Sequence, residues 1–370
     1  MPAPIEWVPC PGDLGGATCR MMSTNWTADQ SPIGLEPRMS TDADGKVLIS
    51  FQRVALDAAL PNVTYLVAEA DGAVKNAILL PWPSPNDPGC LLGPEGIGDG
   101  KFVWNVYGND WDGDWSTSEH EGAIGGDISV ITPQVLVHKV DDRSYDFSVS
   151  SAWLGASNTY EEITLSSWTD TSQELIIASA VTDPENQSLG ALVLSGEAAF
   201  WESGGLVRIG INVWDQASGA RPFIRFLGDT TRGAGNFGTD GVDMVWSYGE
   251  GKMPGDMNFP IRSIMTAPFT TDPAAVVPTR LRSQISNGIA EEPWKVECGY
   301  GARKWLNQPM VIRLADGVAW QLPEDLGTLD LFPKPIGVTC DEVFAVGQVD
   351  GRVTIMRFEI DSLGPGMPPD

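Results

Sequence analysis

Short runs in which apolar and β-branched residues alternate with polar ones recur along the whole chain, at 47–54, 63–68, 128–132, 135–140, 145–149, 207–213, 311–314 and 353–358. A period of two marks a strand with one face on a core. These runs predict strands, and no window carries the 3.6-residue period of an amphipathic helix. The connections between them are written in turn residues, with Asp-Gly pairs beginning at Asp44, Asp71, Asp99, Asp112, Asp240, Asp316 and Asp350. Such pairs accept the positive φ angles that tight hairpins need. Residues 65–80 and 343–358 therefore each read as strand, turn, strand. The Gly-rich stretch 228–241 reads as a connector whose backbone could approach a ligand closely.

A longer period is laid over the short one. Phe51, Trp104, Trp153, Trp201, Trp246, Trp294 and Phe344 lie 53, 49, 48, 45, 48 and 50 residues apart. Repeats of roughly 40 to 50 residues built from short strands are units that cannot bury both faces alone and must stack on their neighbours. The pattern resembles the β-propeller superfold, and the resemblance implies an all-β fold of seven blades spanning residues 1–362. Neither the Gly-His with Trp-Asp pairing of WD40 repeats nor the double Gly of kelch repeats is present, and the one segment near a sialidase Asp box, at Ser40, has no second copy. The last repeat has room for about three strands after Pro335, so the resemblance implies a seven-bladed propeller closed by the N-terminal strand, with the segment from Ile5 to Val8 as donor. Residues 363–370 carry too much Gly and Pro to extend a strand and read as a flexible tail. The competing architecture is two β-sandwiches in tandem.

Charge narrows the partners. With 23 Lys plus Arg against 49 Asp plus Glu, the formal net charge of -26 repels phosphate backbones and anionic lipid surfaces, so no nucleic acid is expected as a partner. No apolar run is long enough for membrane insertion. Five cysteines suit a large secreted domain with one or two bridges. Cys10 and Cys19 flank a turn-rich segment and are the first candidate pair, and Cys298 and Cys340, each near a repeat aromatic, are the second, which leaves Cys90 over. Met1-Pro-Ala-Pro-Ile-Glu lacks the basic start and apolar core of a leader and reads as the start of a mature chain. The expected location is extracellular or periplasmic.

The strongest local constellation for chemistry is Asn109-Asp-Trp-Asp-Gly-Asp-Trp-Ser-Thr-Ser-Glu-His-Glu121. Asp110, Asp112, Asp114, Ser118 and Glu121 occupy positions 1, 3, 5, 9 and 12 of a calcium loop, where alternate oxygen donors of a curled segment converge on one hard cation. Trp115 stands where such a loop calls for Gly, and the flanks read as strands rather than helices. Trp111 and Trp115 add indole faces suited to stacking on a sugar ring, with His120 beside them as a ligand-binding or basic group. The alternative for both rings is a small apolar cluster under the loop. Two His in all exclude multi-imidazole zinc sites and oxygenases that need four His around iron, and no nucleophile elbow, phosphate loop or Cys-x-x-Cys pair is present, which leaves chemistry that needs only carboxylates, Tyr, Arg or one His. The reading is a secreted binding or interaction module for carbohydrate or another extracellular ligand, with calcium as the candidate cofactor. The alternative is a carbohydrate-active enzyme, a glycoside hydrolase or polysaccharide lyase, on the same scaffold.

Overall fold

A computed structural model describes residues 6–12, 14–27, 38–41, 47–54, 63–69, 74–80, 91–98, 101–109, 115–123, 128–133, 136–139, 145–151, 160–167, 174–179, 189–195, 198–205, 208–224, 234–252, 260–285, 294–305, 308–323 and 334–369. Side chains are described mainly within 6–22, 198–202, 210–224, 234–249, 263–283, 294–303, 309–323 and 334–369. Apart from two short 3-10 turns, every regular element among these residues is a strand. The expected alternating runs match closely: 47–54 is a strand with those bounds, and 353–358 lies within Arg352–Glu359. The chain divides into two compact units, residues 1–142 with 323–337 and 342–364, and residues 143–322 with 338–341 and 365–370.

The first unit holds three antiparallel sheets. One runs β3 (Arg38–Thr41), β4 (Val47–Val54), β5 (Val63–Glu69), β6 (Val74–Leu80) in chain order. Another runs β7 (Leu91–Gly98), β8 (Lys101–Asn109), β9 (Trp115–Ala123), β10 (Ile128–Pro133), and β11 (Leu136–Lys139) follows in sequence. The third joins the two ends of the described chain, in the order β1 (Val8–Pro9), β2 (Cys19–Thr27), β29 (Arg352–Glu359), β28 (Glu342–Val349), β27 (Lys334–Val338).

The strand that pairs with β29 on its outer side is thus Cys19–Thr27, in register from Cys19↔Phe358 to Ser23↔Thr354, with a shift before Thr27↔Arg352. Of the expected donor, Ile5 to Val8, Ile5 lies outside the described residues, and Val8–Pro9 pairs with β2, one strand further out. The exchange has a local cause, because the Cys10–Cys19 disulfide folds the first segment back against β2. Phe344 is buried in this unit against Met22, Ile49 and Ile336. Trp7 covers it edge-on at 6.3 Å and itself carries the Arg357 guanidinium 4.9 Å above its ring.

The second unit begins with β12 (Tyr145–Ser151), β13 (Tyr160–Ser167) and β14 (Glu174–Ser179), then β15 (Leu189–Ser195), β16 (Ala198–Gly205), β17 (Arg208–Asp215) and β18 (Gly219–Ile224). These two groups form one continuous sheet, but a single pair, Tyr160↔Leu189, joins them. Two four-stranded sheets follow, β19 (Ala234–Thr239) to β22 (Thr279–Ile285) through β20 (Asp243–Lys252) and β21 (Pro260–Pro268), and β23 (Lys295–Glu297) to β26 (Ala319–Gln321) through β24 (Tyr300–Trp305) and β25 (Gln308–Arg313).

Hydrophobic layers separate successive sheets. Phe200 and Phe223 meet Phe237 and Trp246 in one core, and Val245, Ile264 and Leu281 meet Trp294, Met310 and Ile312 in the next. Phe200 stacks on Phe237 at 4.6 Å, with Phe223 edge-on at 5.2 Å, an arrangement that aromatic quadrupoles favour.

Two expectations change here. The Gly-rich stretch at 228–241 is not all connector, because Ala234–Thr239 is a strand. Its glycines permit close approach: a Cβ on Gly238 would collide with the Trp294 backbone, 2.8 Å from its carbonyl carbon, and one on Gly235 would sit 3.4 Å from Glu202. The segment read as a flexible tail, 363–370, is tied down at Met367 and Pro368. Ala319 and Met367 exchange both backbone hydrogen bonds, and Arg282 donates to the carbonyls of Met367 and Pro368. Replacing Phe237 with Ala removes the ring on which Phe200 stacks, and a buried Phe→Ala change costs about 3–5 kcal/mol. The urea midpoint should drop accordingly, and a loss within experimental error would show that the layer between these sheets carries no stability.

Candidate functional site

The acidic Trp-bearing segment falls between β8 and β9. Asp110, Trp111, Asp112 and Asp114 lie outside the described residues. Trp115, Ser118, His120 and Glu121 are backbone positions of β9, paired with Asn109, Val106, Trp104 and Val103 respectively, and their side chains lie outside the described residues. The segment is therefore the tip of a hairpin rather than a link between helices, as its flanks implied. In a four-stranded meander this turn, between the second and third strands, shares its end with the exit of the fourth strand. No group of three or more metal-ligating side chains occurs among the described residues.

A second constellation, which sequence reasoning missed, sits inside the second unit. Glu202 lies on β16 directly after the buried Trp201, and its Oε1 accepts the backbone N–H of Asn236 on β19. Asn236 adopts a φ of 59°, in the left-handed region that Asn tolerates better than most residues. Burial pushes the Glu202 carboxyl above its ordinary value, and the Asn236 and Phe237 N–H groups with the charge of Arg303 pull only partly back. Arg303, 3% exposed on β24, donates from Nη1 to Ser247 Oγ at 3.1 Å and stands 5.3 Å over the Trp294 ring. A carboxyl, a hydroxyl and a guanidinium from three successive strand groups thus form one polar seam between apolar layers. The available signal was a Glu within the apolar strand 198–202, next to a periodic Trp, where a charge is out of place.

A third cluster gathers at the turns between first and second strands. Asp240 Oδ1 accepts from Val242 N at 2.9 Å and Asp243 N at 2.8 Å, while Oδ2 accepts from Gly299 N at 3.4 Å. Burial, and then the charge of Asp240, push the Asp243 carboxyl above its ordinary value. Cys298 and Gly299 form the two-residue hairpin turn between β23 and β24, both at positive φ, and Cys298 is bridged to Cys340. Both expected disulfides are thus present, and disulfides persist outside the reducing cytoplasm. Among the described residues no helix is long and apolar enough to cross a membrane.

No protein-family model and no curated protein matches this chain. Among solved structures, the WD40 domain of Toxoplasma gondii coronin is similar over 98% of this chain and 91% of its own, at 11% identity and a TM-score of 0.48. The β-propeller domain of the trilobed protease from Pyrococcus furiosus is similar over 75% of this chain and 97% of its own, at 8% identity and a TM-score of 0.41. β-Propeller proteins are among its structural neighbours. Oligopeptidase B from Trypanosoma brucei is similar over 85% of this chain, at 9% identity and a TM-score of 0.46, and the chain spans 44% of that protein's length. With TM-scores below 0.5, none of these likenesses carries an argument about activity, substrate or partner.

The polar seam makes a prediction of its own. A carboxyl held above its ordinary value keeps its proton in the folded chain at pH values where the unfolded chain has released it, so folding loses stability as pH rises from 4.5 through the raised value. Glu202→Gln removes the titrating group, so wild type should lose stability relative to Glu202→Gln over that rise, in urea melts at stepped pH. Glu202→Ala leaves the Asn236 and Phe237 N–H groups without this acceptor and should cost about 1–3 kcal/mol. Asp215 has the opposite sign. Burial pushes it up, but Arg221 at 2.5 Å and the Ser218 N–H hold it below its ordinary value, so its contribution is lost as pH falls below 3.8. A wild-type-to-Gln gap that does not change with pH would remove Glu202 from this account.

Proposed function

We propose that this chain is a secreted β-propeller of seven blades that binds carbohydrate through the loop between β8 and β9. Strands β3 to β26 fall into six consecutive groups of four, and β27, β28, β29 and β2 supply a seventh, which supports the blade count and closure by an N-terminal strand. The two disulfides support secretion. One observation carries the ligand reading: two indoles and three carboxylates are concentrated at one hairpin tip, in a chain whose periodic aromatics with described side chains are buried. Indole faces beside carboxylates suit a sugar ring, which offers C–H groups to the aromatic and hydroxyls to the acids.

Calcium, where it binds, would be held by Asp110, Asp112 and Asp114. An extended strand advances about 3.3 Å per residue, so Ser118 and Glu121 stand about 10 and 20 Å along β9 from Trp115 and cannot close the same cage. His120, one rung short of Glu121, is proposed as an accessory polar contact.

The test is a panel of soluble and insoluble polysaccharides with and without calcium. Retention on at least one glycan is expected, weakened about tenfold or more by Trp111→Ala with Trp115→Ala, which is about 1.4 kcal/mol of lost contact. Loss of retention after chelation, restored by calcium, would assign the carboxylates. New reducing ends or unsaturated uronate absorbance at a turnover rate would favour the carbohydrate-active enzyme instead, and retention unchanged in the double variant would end the loop reading.

The seven-bladed ring has a separate check. A 370-residue chain packed as one body should scatter with a radius of gyration of about 21 Å. A markedly larger value would mean two bodies joined by linkers.

A further inference from the structure

β26 is the last strand of its sheet, and its outer backbone groups would template pairing with another chain if left open. Residues 364–369 cover it. Ala319 donates to the Met367 carbonyl at 3.0 Å, and Met367 donates back at 2.7 Å. Arg282 Nη1 donates to the carbonyls of Met367 at 3.2 Å and Pro368 at 3.1 Å. Gly366 lies against Val318 and the Trp320 indole, where an added Cβ would come within 2.9 Å of Trp320 Cε2. Trp320 is itself held in place by Arg313, 5.5 Å over its ring, and by Tyr300 at 6.4 Å.

What is recognised here is backbone rather than side chain. Pro365, Pro368 and Pro369 have no N–H to donate, so within 365–369 only Gly366 and Met367 can offer a donor, and the observed rung uses Met367. The Met367 side chain is 42% exposed. A Pro-rich segment is already extended before it binds, so little conformational freedom is lost on seating. An aromatic wall, a glycine-only approach and a guanidinium reading two successive carbonyls are the elements of a peptide groove.

We propose that the outer edge of β26, with Val318, Trp320 and Arg282, is a recognition groove for an extended Gly- and Pro-rich segment, filled here in cis by the chain's own residues 364–369. The seat is exchangeable and takes the same sequence in trans. It is separate from the β8–β9 loop and does not depend on the carbohydrate reading.

The probe is a fluorescein-labelled peptide of residues 363–370, titrated by anisotropy into the full chain. Gly366→Val, whose side chain cannot fit beside Val318 and Trp320, displaces the covering segment. Met367→Pro removes the one N–H donated into the edge. Both variants should bind the peptide saturably and at least tenfold more tightly than wild type, and a peptide carrying the same Gly→Val change should not bind. Variants with native circular dichroism that bind no peptide would overturn the proposal, as would wild type binding as well as they do. Should neither variant fold, hydrogen exchange on the unaltered chain decides: the Ala319 and Met367 amides should exchange together and ahead of Val311 and Ile312 in β25. Equal protection at all four positions would mean that the segment never leaves, and would also overturn it.

Discussion

Burial of both faces of the second strand, seen in the β16, β20 and β28 groups, governs most of what is observed. Ala198, Ala199, Phe200 and Trp201 are consecutive and all buried, as are Met244 to Ser247 and Val343 to Val346. Side chains along a strand alternate faces, so consecutive burial requires a covering layer on each side. Along β20, Met244 and Trp246 enter the core shared with β16 to β18, while Val245 enters the core shared with β23 to β26. A single group of four strands could not satisfy this pattern in water. Each must be sandwiched, and the sandwiching is what a repeated sequence of this length provides.

Close sandwiching explains the glycines and the polar seam together. Gly238 is where the Trp294 backbone passes, and Trp294 N donates to Asn236 O there at 3.3 Å. Backbone groups brought that near an apolar layer need partners, since an unpaired buried polar group costs about 1–3 kcal/mol. Glu202 supplies one acceptor for β19, and Arg303 links the next layer to Ser247. The cost is a carboxyl kept where burial opposes its charge. The seam therefore joins adjacent sheets by hydrogen bonds where glycines let their backbones approach closely.

Much of this was legible in the sequence, and the misses have physical causes. Period-two alternation located β4, β5, β10, β12 and β29 to within two residues at each end, because one-faced or two-faced burial writes directly into residue choice. Asp350-Gly351 is the positive-φ hairpin turn its composition implied, with Val349 paired to Arg352. Cys298-Gly299 plays the same part without an Asp, so that turn carried no signal. Strand β19 was hidden because close approach demanded glycine, which propensity assigns to loops. The seating of 364–369 was equally hidden, since it depends on Arg282 and Ala319, some fifty to ninety residues away, rather than on local preference. The 48-residue aromatic spacing was informative without being strict. Trp246 lies on the second strand of its group, as Trp201 does, whereas Trp294 falls one residue before β23.

That imperfect spacing bears on where function belongs. Positions buried between layers are constrained twice, by their own sheet and by its neighbour, so substitutions there are felt as lost packing. Turns at the sheet ends are not packed on both faces, and where they are tied, as at Asp240 and Cys298, single bonds rather than layers hold them. A hairpin can lengthen from the two residues between Val349 and Arg352 to the five between Asn109 and Trp115 without disturbing the strands that flank it. Residues at such a tip are released from packing on both faces, so their choice is free to follow other demands. The Glu202 carboxyl, by contrast, is chemically unusual but lies against Gly235 and the Asn236 N–H of β19, and its hydrogen bond ties β16 to that strand. A perturbed carboxyl marks a site of chemistry only where a substrate can reach it. The Glu202 carboxyl is held against the β19 backbone, so its raised value reports burial and packing.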